Sequence, residues 1–267
     1  MKYAVAITAL AGLAVAAPSK SLVQRTSSTN AQSRNPANRS RSSALFGSAP
    51  NNRISTSHTD DVTTQDSATS GNWAGAVQVG SGYTSVTGTI TVPQVSGNSQ
   101  DAASAWVGID GDTCQTAILQ TGVSFYADGS FDAWYEWIPD YAYSFDNFGV
   151  NVGDQIKMSV DASSTSTGTA TLENLTTGQS VTHNFDSGTP SQLCETNAEW
   201  IVEAFQSGGN QVSLANFGTV TFSDAYSNGN NAAANSATII NMSPDQQNLV
   251  TNCGADGASV SCTYTGP

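Results

Sequence analysis

Two stretches of this 267-residue chain set carboxyl groups among large apolar side chains. With 131–138 as a strand, alternation puts Asp132, Trp134 and Glu136 on one face and Phe131, Ala133, Tyr135 and Trp137 on the other. The same rule groups Glu199, Ile201, Glu203 and Phe205. Acids beside large apolar groups in mid-strand describe a groove whose chemistry is proton transfer by carboxyls. Other chemistries lack side chains. Residues 60–267 hold one histidine, His183, in a strand-like run, too few for a Ser-His-Asp triad or a multi-histidine zinc site, so no metal or cofactor is implied. Lys157 is their only base, which speaks against phosphate and nucleic-acid binding. An Asp186-Ser187-Gly188-Thr189 run has the form of one half of a carboxylate dyad, but Asp110-Gly111-Asp112-Thr113 does not supply the other half, and Asp-Ser-Gly before Pro190 reads as a turn.

The elements that must position these groups follow from a period of two. Segments 75–79, 83–92, 103–109, 116–120, 131–138, 155–160, 167–172, 180–185, 199–205, 219–222 and 237–242 read as short strands between Gly, Asn, Asp and Ser turns. No amphipathic helix of ten residues is visible. Many short strands without helical crossovers predict an all-β antiparallel sandwich or barrel.

Charge divides the chain. Residues 1–59 carry seven bases and no acid; residues 60–267 carry all 21 acids and one base. Lys2, the apolar run 4–17 and small residues before Pro18 form a signal-peptide pattern, so 1–17 is expected to be removed on export. No later stretch is apolar enough for a membrane span, which predicts a secreted protein with no membrane role. Residues 18–67, rich in Ser, Thr, Asn and Arg, read as a basic propeptide attracted to the acidic body near neutral pH and released as carboxyls neutralise. Possible glycan acceptors are Asn174-Leu175-Thr176 and Asn241-Met242-Ser243.

Four cysteines in an exported chain suggest two disulfides, with no thiolate left for chemistry. Cys253 and Cys262 flank a Gly-rich turn, so a local staple is the economical pairing and leaves Cys114 to Cys194. Closing that long loop removes unfolded-state entropy worth on the order of 4 kcal/mol.

The run Ala105-Trp106-Val107-Gly108-Ile109-Asp110-Gly111-Asp112-Thr113-Cys114-Gln115-Thr116-Ala117-Ile118-Leu119-Gln120-Thr121-Gly122 resembles the signature of the fungal glutamic peptidases, the eqolisins, which are secreted, acid-active and insensitive to pepstatin. The resemblance continues through Asp132-Ala133-Trp134-Tyr135-Glu136-Trp137, the segments 172–179 and 193–199, and on to Glu203. It implies a concanavalin-like β-sandwich of two antiparallel sheets over 68–267, with a catalytic Gln and Glu on the concave face. By motif these are Gln120 and Glu203, not Glu199. Trp106 falls on a family tryptophan near the site, and the family pairs Cys114 with Cys194. Trp106, Asp110, Asp132, Trp134, Glu136 and Phe205 are the expected substrate contacts, and the protein is expected to act as a monomer on a protein or peptide substrate. Ser124 and Gln206 stand where relatives carry acids, and a Cys-containing insertion after Glu203 is missing; both departures bear on subsite preference.

The chemistry implied is a water held between Glu203 and Gln120, with Glu203 as base and then acid and the amide as oxyanion donor. Two rival readings use the same groove. A jelly-roll glycoside hydrolase would employ Glu136 and Glu203, with carboxyls about 5 Å apart in a retaining enzyme. A lectin-like module would stack sugar on Trp134.

Overall fold

The computed structural model describes residues 67–231 and 237–266. The expected signal peptide and all but the last residue of the expected propeptide lie outside the described residues. The strands are β1 (Ser67–Ser70), β2 (Trp73–Val79), β3 (Ser85–Thr91), β4 (Ala102–Ile109), β5 (Ile118–Tyr126), β6 (Phe131–Ile138), β7 (Tyr143–Ser144), β8 (Gln155–Ser164), β9 (Thr167–Asn174), β10 (Gln179–Phe185), β11 (Asn197–Glu203), β12 (Gln206–Ser207), β13 (Asn210–Gln211), β14 (Thr219–Ser227), β15 (Asn230–Asn231), β16 (Ala237–Met242), β17 (Thr251–Asp256) and β18 (Ser259–Tyr264). No helix occurs among the described residues, and so none is long and apolar enough to cross a membrane.

Two sheets form the sandwich. The first runs β1-β16-β2-β11-β4-β5-β6-β7, the second β10-β9-β8-β3-β14-β18-β17. Pairing is antiparallel except for β1 on β16. This is the two-sheet sandwich that the resemblance implies, one of the two all-β architectures that the alternation allows. Between the sheets, Ala103, Ala105, Val107, Leu119, Val123, Trp137 and Trp200 from the first meet Val86, Ile90, Ile156, Met158, Leu172 and Phe222 from the second.

The two sheets differ in their outward faces, and the difference locates the site. β9 alternates buried and half-buried residues, as a strand with one wet face should. β4, β5 and β11 are buried at every position. Their outward side is covered by a second apolar cluster, Trp73, Val77, Trp106, Ile118, Trp134, Ile138, Ala142, Ile201 and Ile240. Strands buried on both faces need small residues where bulky neighbours cross, and β4 accordingly reads Ala-Ala-Ser-Ala-Trp-Val-Gly-Ile.

Some expectations need correction. The strand expected at 116–120 continues as β5 to Tyr126, past Gly122 and Ser124, which look like turn residues in the sequence. The local hairpin staple expected at Cys253 and Cys262 is present as the antiparallel strand pair β17–β18, with Cys253 directly opposite Cys262. Asn174 is unsuited to glycosylation: it is buried, and its Nδ2 donates to Gly149 O and Asp154 Oδ2, both at 3.0 Å. Cys114 and Cys194 form the other disulfide, as expected.

Candidate active site

Strand register assembles the site as a grid on the outward face of the first sheet. β4 lies between β11 and β5. Its Gly108 pairs with Glu199 and Gln120, its Trp106 with Ile201 and Gly122, and its Ser104 with Glu203 and Ser124. β6 extends these three rows with Glu136, Trp134 and Asp132, and β2 extends them on the other side with Val77, Gly75 and Trp73. A period of two puts all of them on one face. Gln120, Glu203, Trp106, Asp132, Trp134 and Glu136 are therefore brought together, as the sequence predicts.

Trp106 occupies the centre of this grid and joins the two candidate catalytic groups. Its Nε1 donates to Glu203 Oε2 at 2.9 Å. The opposite edge of the indole lies over Gly108: a Cβ added there would sit 3.0 Å from the Trp106 ring and 3.4 Å from Gln120 Cβ. A Cβ at Gly122 would come within 2.5 Å of Trp106 Cβ. Both glycines leave the room the indole fills. Trp73 meets the indole edge-on, centroids 4.9 Å apart. Asn72 Nδ2 makes a long 3.4 Å contact to the other Glu203 oxygen.

Gln120 is oriented by a carboxyl. Its Nε2 donates to Glu136 Oε2 at 2.7 Å. Behind the pair, Ser104 is a hydroxyl hub: its Oγ accepts from Trp134 Nε1 at 3.2 Å and from Ser124 Oγ at 3.1 Å, and donates to Val123 O at 3.2 Å. Gln120 and Glu203 are 0% and 1% exposed, so both lie at the floor of the site.

One family accounts for this arrangement. The Peptidase A4 family matches residues 71–264. Aspergillopepsin-2 from Aspergillus niger is 51% identical over 220 residues, covering 73% of this chain and 78% of that protein. The chain belongs to the Peptidase A4 family, the eqolisins. Scytalidopepsin B from Scytalidium lignicola is 44% identical over 212 residues, covering 76% of this chain and 81% of its own. A crystal structure of scytalido-glutamic peptidase with a transition state analog inhibitor superposes with a TM-score of 0.69 at 44% identity, covering 76% of this chain and all of that one. The activity of the chain is that of a glutamic endopeptidase.

Within this eqolisin the remaining expected contacts separate. Phe205 lies beyond the end of β11, one row further along the face, where it packs on Tyr126 and Ala102. Asp110 is not in the groove at all. Its φ of 68° turns the chain at the end of β4, and its buried carboxylate is filled by donors: Cys194 N and Glu195 N on Oδ2, at 2.7 and 2.9 Å, and Thr196 N, Asn197 N and Thr196 Oγ1 on Oδ1, at 2.7, 3.2 and 3.1 Å. Asn197 Oδ1 returns the contact, accepting from Thr113 N at 2.9 Å. With Cys114–Cys194, these bonds clasp the loop leading into β5, which carries Gln120, to the segment leading into β11, which carries Glu203. Both sulfurs beside Asp110 are oxidised, so the group offers no thiolate to a metal.

The rival readings fit this geometry poorly. Glu136 and Glu203 stand at opposite corners of the grid with β5 and β4 between them. A sugar stacked on Trp134 would give no role to Gln120 or to the Trp106–Glu203 bond. A surface cleft of about 300 Å³ lies on the other side of β6, lined by Tyr135, Tyr143, His183 and Phe185 among others. There His183 stacks on Tyr135 at 3.9 Å. This aromatic flank is separate from the grid. Sequence reasoning missed Asn72, Trp73 and Ser104 as supports of the site.

Two outcomes follow from the packing. Gly108→Ala is expected to keep the fold but displace the indole from its place between Gln120 and Glu203, lowering kcat/KM about ten- to a hundredfold; unchanged kinetics would show that the ring position is not critical. Asp110→Asn, which replaces an acceptor-only group facing five donors, is expected to cost about 2 to 3 kcal/mol in urea unfolding at pH 5, while retaining some activity.

Proposed function

We propose that this secreted acid endopeptidase cleaves peptide bonds with Glu203 as proton acceptor and donor and Gln120 as neutral partner, on a water bound between them. The observation that carries the reading is the Trp106 indole, hydrogen-bonded to Glu203 at one end and lying over Gly108 beside Gln120 at the other. Glu203, ionised at rest, takes a proton from the water, and the oxygen attacks the scissile carbonyl carbon. The carbonyl oxygen gains negative charge and accepts a hydrogen bond from the Gln120 amide, which carries two N–H bonds and gives one to Glu136. Glu203 then passes its proton to the departing nitrogen as the C–N bond breaks. The amide does not titrate in the working range, so the acid limb of the rate profile belongs to the carboxyl.

Trp106, Asp132, Trp134 and Glu136 form the floor on which an extended substrate would lie. Glu136 sets the amide, and Asp132 stands at the end of the Glu203 row. A transition state analog inhibitor occupies the related scytalido-glutamic peptidase, and a protein or peptide substrate is assigned here by that kinship. No cofactor enters these steps. Residues 1–17 direct export and residues 18–67 act as a propeptide, an internal partner whose bases face an acidic body; the released enzyme works as a monomer. β1 begins at Ser67, so removal of the whole 18–67 segment takes only the first residue of that edge strand.

Gln120→Ala is expected to be secreted and folded but to lose about a hundred- to a thousandfold in kcat, the usual effect of removing an oxyanion donor. Glu203→Gln should be at least as impaired; casein digestion at acid pH, in the presence of pepstatin, by either variant at the wild-type rate would remove that residue from the mechanism. Trp106→Phe, which deletes the donor to ionised Glu203, is expected to move the acid limb of kcat/KM to higher pH, since the charged form loses a hydrogen bond.

A further inference from the structure

Glu199 shares a row with Gln120 and sits four residues before Glu203, yet the chemistry above gives it no part. It is fully buried. Its Oε1 accepts the Asp112 N–H at 3.1 Å, and its Oε2 has no hydrogen-bond partner. An ionised carboxylate offers about four acceptor sites, so one donor leaves it starved; Asp110, a few residues away in space, has five donors for the same need.

Among the described residues no cation faces it either. From the loop after β4 it meets Asp112 and Asp110, from its own strand Glu203, and its cross-strand partners Val77 and Gly108 carry no charge. The one base of the body, Lys157, is paired with Glu173 in the second sheet at 2.7 Å. Burial, then Asp112 and Asp110, hold the Glu199 carboxyl well above its ordinary value of 4.5, against the single pull of the Asp112 N–H.

We propose that Glu199 is a proton-operated latch: carrying its proton it seats beneath the 110–114 loop, and on losing that proton to solvent it forces the loop off β11 and disables the enzyme. The loop continues directly into β5, and Cys114–Cys194 ties it to the segment entering β11. A charge appearing among Asp110, Asp112 and Glu203 therefore acts on the clasp that ties together the segments leading into the strands of Gln120 and Glu203. Below the ordinary glutamate value both folded and unfolded chains hold the proton, and the latch costs nothing. Above it the unfolded chain releases the proton while the folded chain keeps it, so stability falls as pH rises through that window. The enzyme is thereby confined to acid by a group that never touches substrate.

The test compares purified wild type with Glu199→Gln, which keeps the shape and cannot ionise. Urea unfolding is followed from about pH 3 to pH 7, and activity is assayed at about pH 3.5 after incubation at each pH. The two proteins should match in acid and diverge above about pH 4.5, with the inactivation midpoint of the variant at least about one pH unit higher, corresponding to tenfold in proton activity. Parallel curves would overturn the latch, as would a variant destabilised equally at every pH, the signature of mere packing. Should the variant not fold, the wild type alone decides. A protonated-carboxyl infrared band persisting at about pH 6 and a stability that declines from pH 4.5 upward support the proposal, and lack of either refutes it. The unfolding readout does not depend on the roles assigned to Gln120 and Glu203, so failure of that mechanism and failure of the latch are distinguishable.

Discussion

A buried carboxylate that must be ready to accept a proton needs a donor that cannot itself give the proton away, and the indole N–H of Trp106 is such a donor. The 2.9 Å bond to Glu203 is made possible by absences around it. Gly108 and Gly122 leave the ring its bed, and the small residues along β4 let neighbouring strands approach. Trp73 closes the ring from the side. Every group of the proposed chemistry is placed relative to that ring: Glu203 by its nitrogen, Gln120 by the glycine under its far edge, Ser104 and Trp134 by the adjoining rows of the grid. The sheet contributes rigidity because its three central strands are buried on both faces, so no side of the site is free to breathe into solvent.

Register across the sheet is held at one end by the meeting of the 110–114 and 194–197 segments. A disulfide alone would tether them loosely. The five donors on Asp110 and the return contact through Asn197 make the junction a defined shape, and its polar groups are of the kind that buried turns require. That junction combines opposite demands within a few residues: one carboxyl saturated with donors, the next, Glu199, almost without them.

Much of this was legible in the sequence because alternation is a physical rule with few exceptions. The faces of β6 and β11, and so the company of Asp132, Trp134, Glu136, Ile201 and Glu203, follow from counting by twos. Legibility fails where a residue's reason lies in a distant neighbour. Gly122 and Ser124 look like a turn, but Gly122 is small because Trp106 crosses it. Asp110 has the composition of a groove acid, and only the folded loop reveals that its oxygens are already taken. Phe205 obeys the alternation, but the strand stops at Glu203, so the side chain falls outside the grid. Asn174 carries an acceptor motif for sugar, but its nitrogen is spent on Gly149 and Asp154. The contrast between Asp110 and Glu199 cannot be read at all without knowing which backbone N–H groups each one meets.

The Lys157–Glu173 contact is the single ion pair among the described residues, as it must be in a body with one base. The second sheet is laced instead by hydroxyls: Thr171 with Thr182 at 2.9 Å, Thr219 with Thr263 at 2.9 Å, Thr221 with Ser261 at 2.8 Å. Hydroxyl pairs neither titrate nor respond to ionic screening as charge pairs do. Most of this shell should therefore hold in brine as it does in dilute buffer, a tolerance that a surface knit from lysines and glutamates would lack.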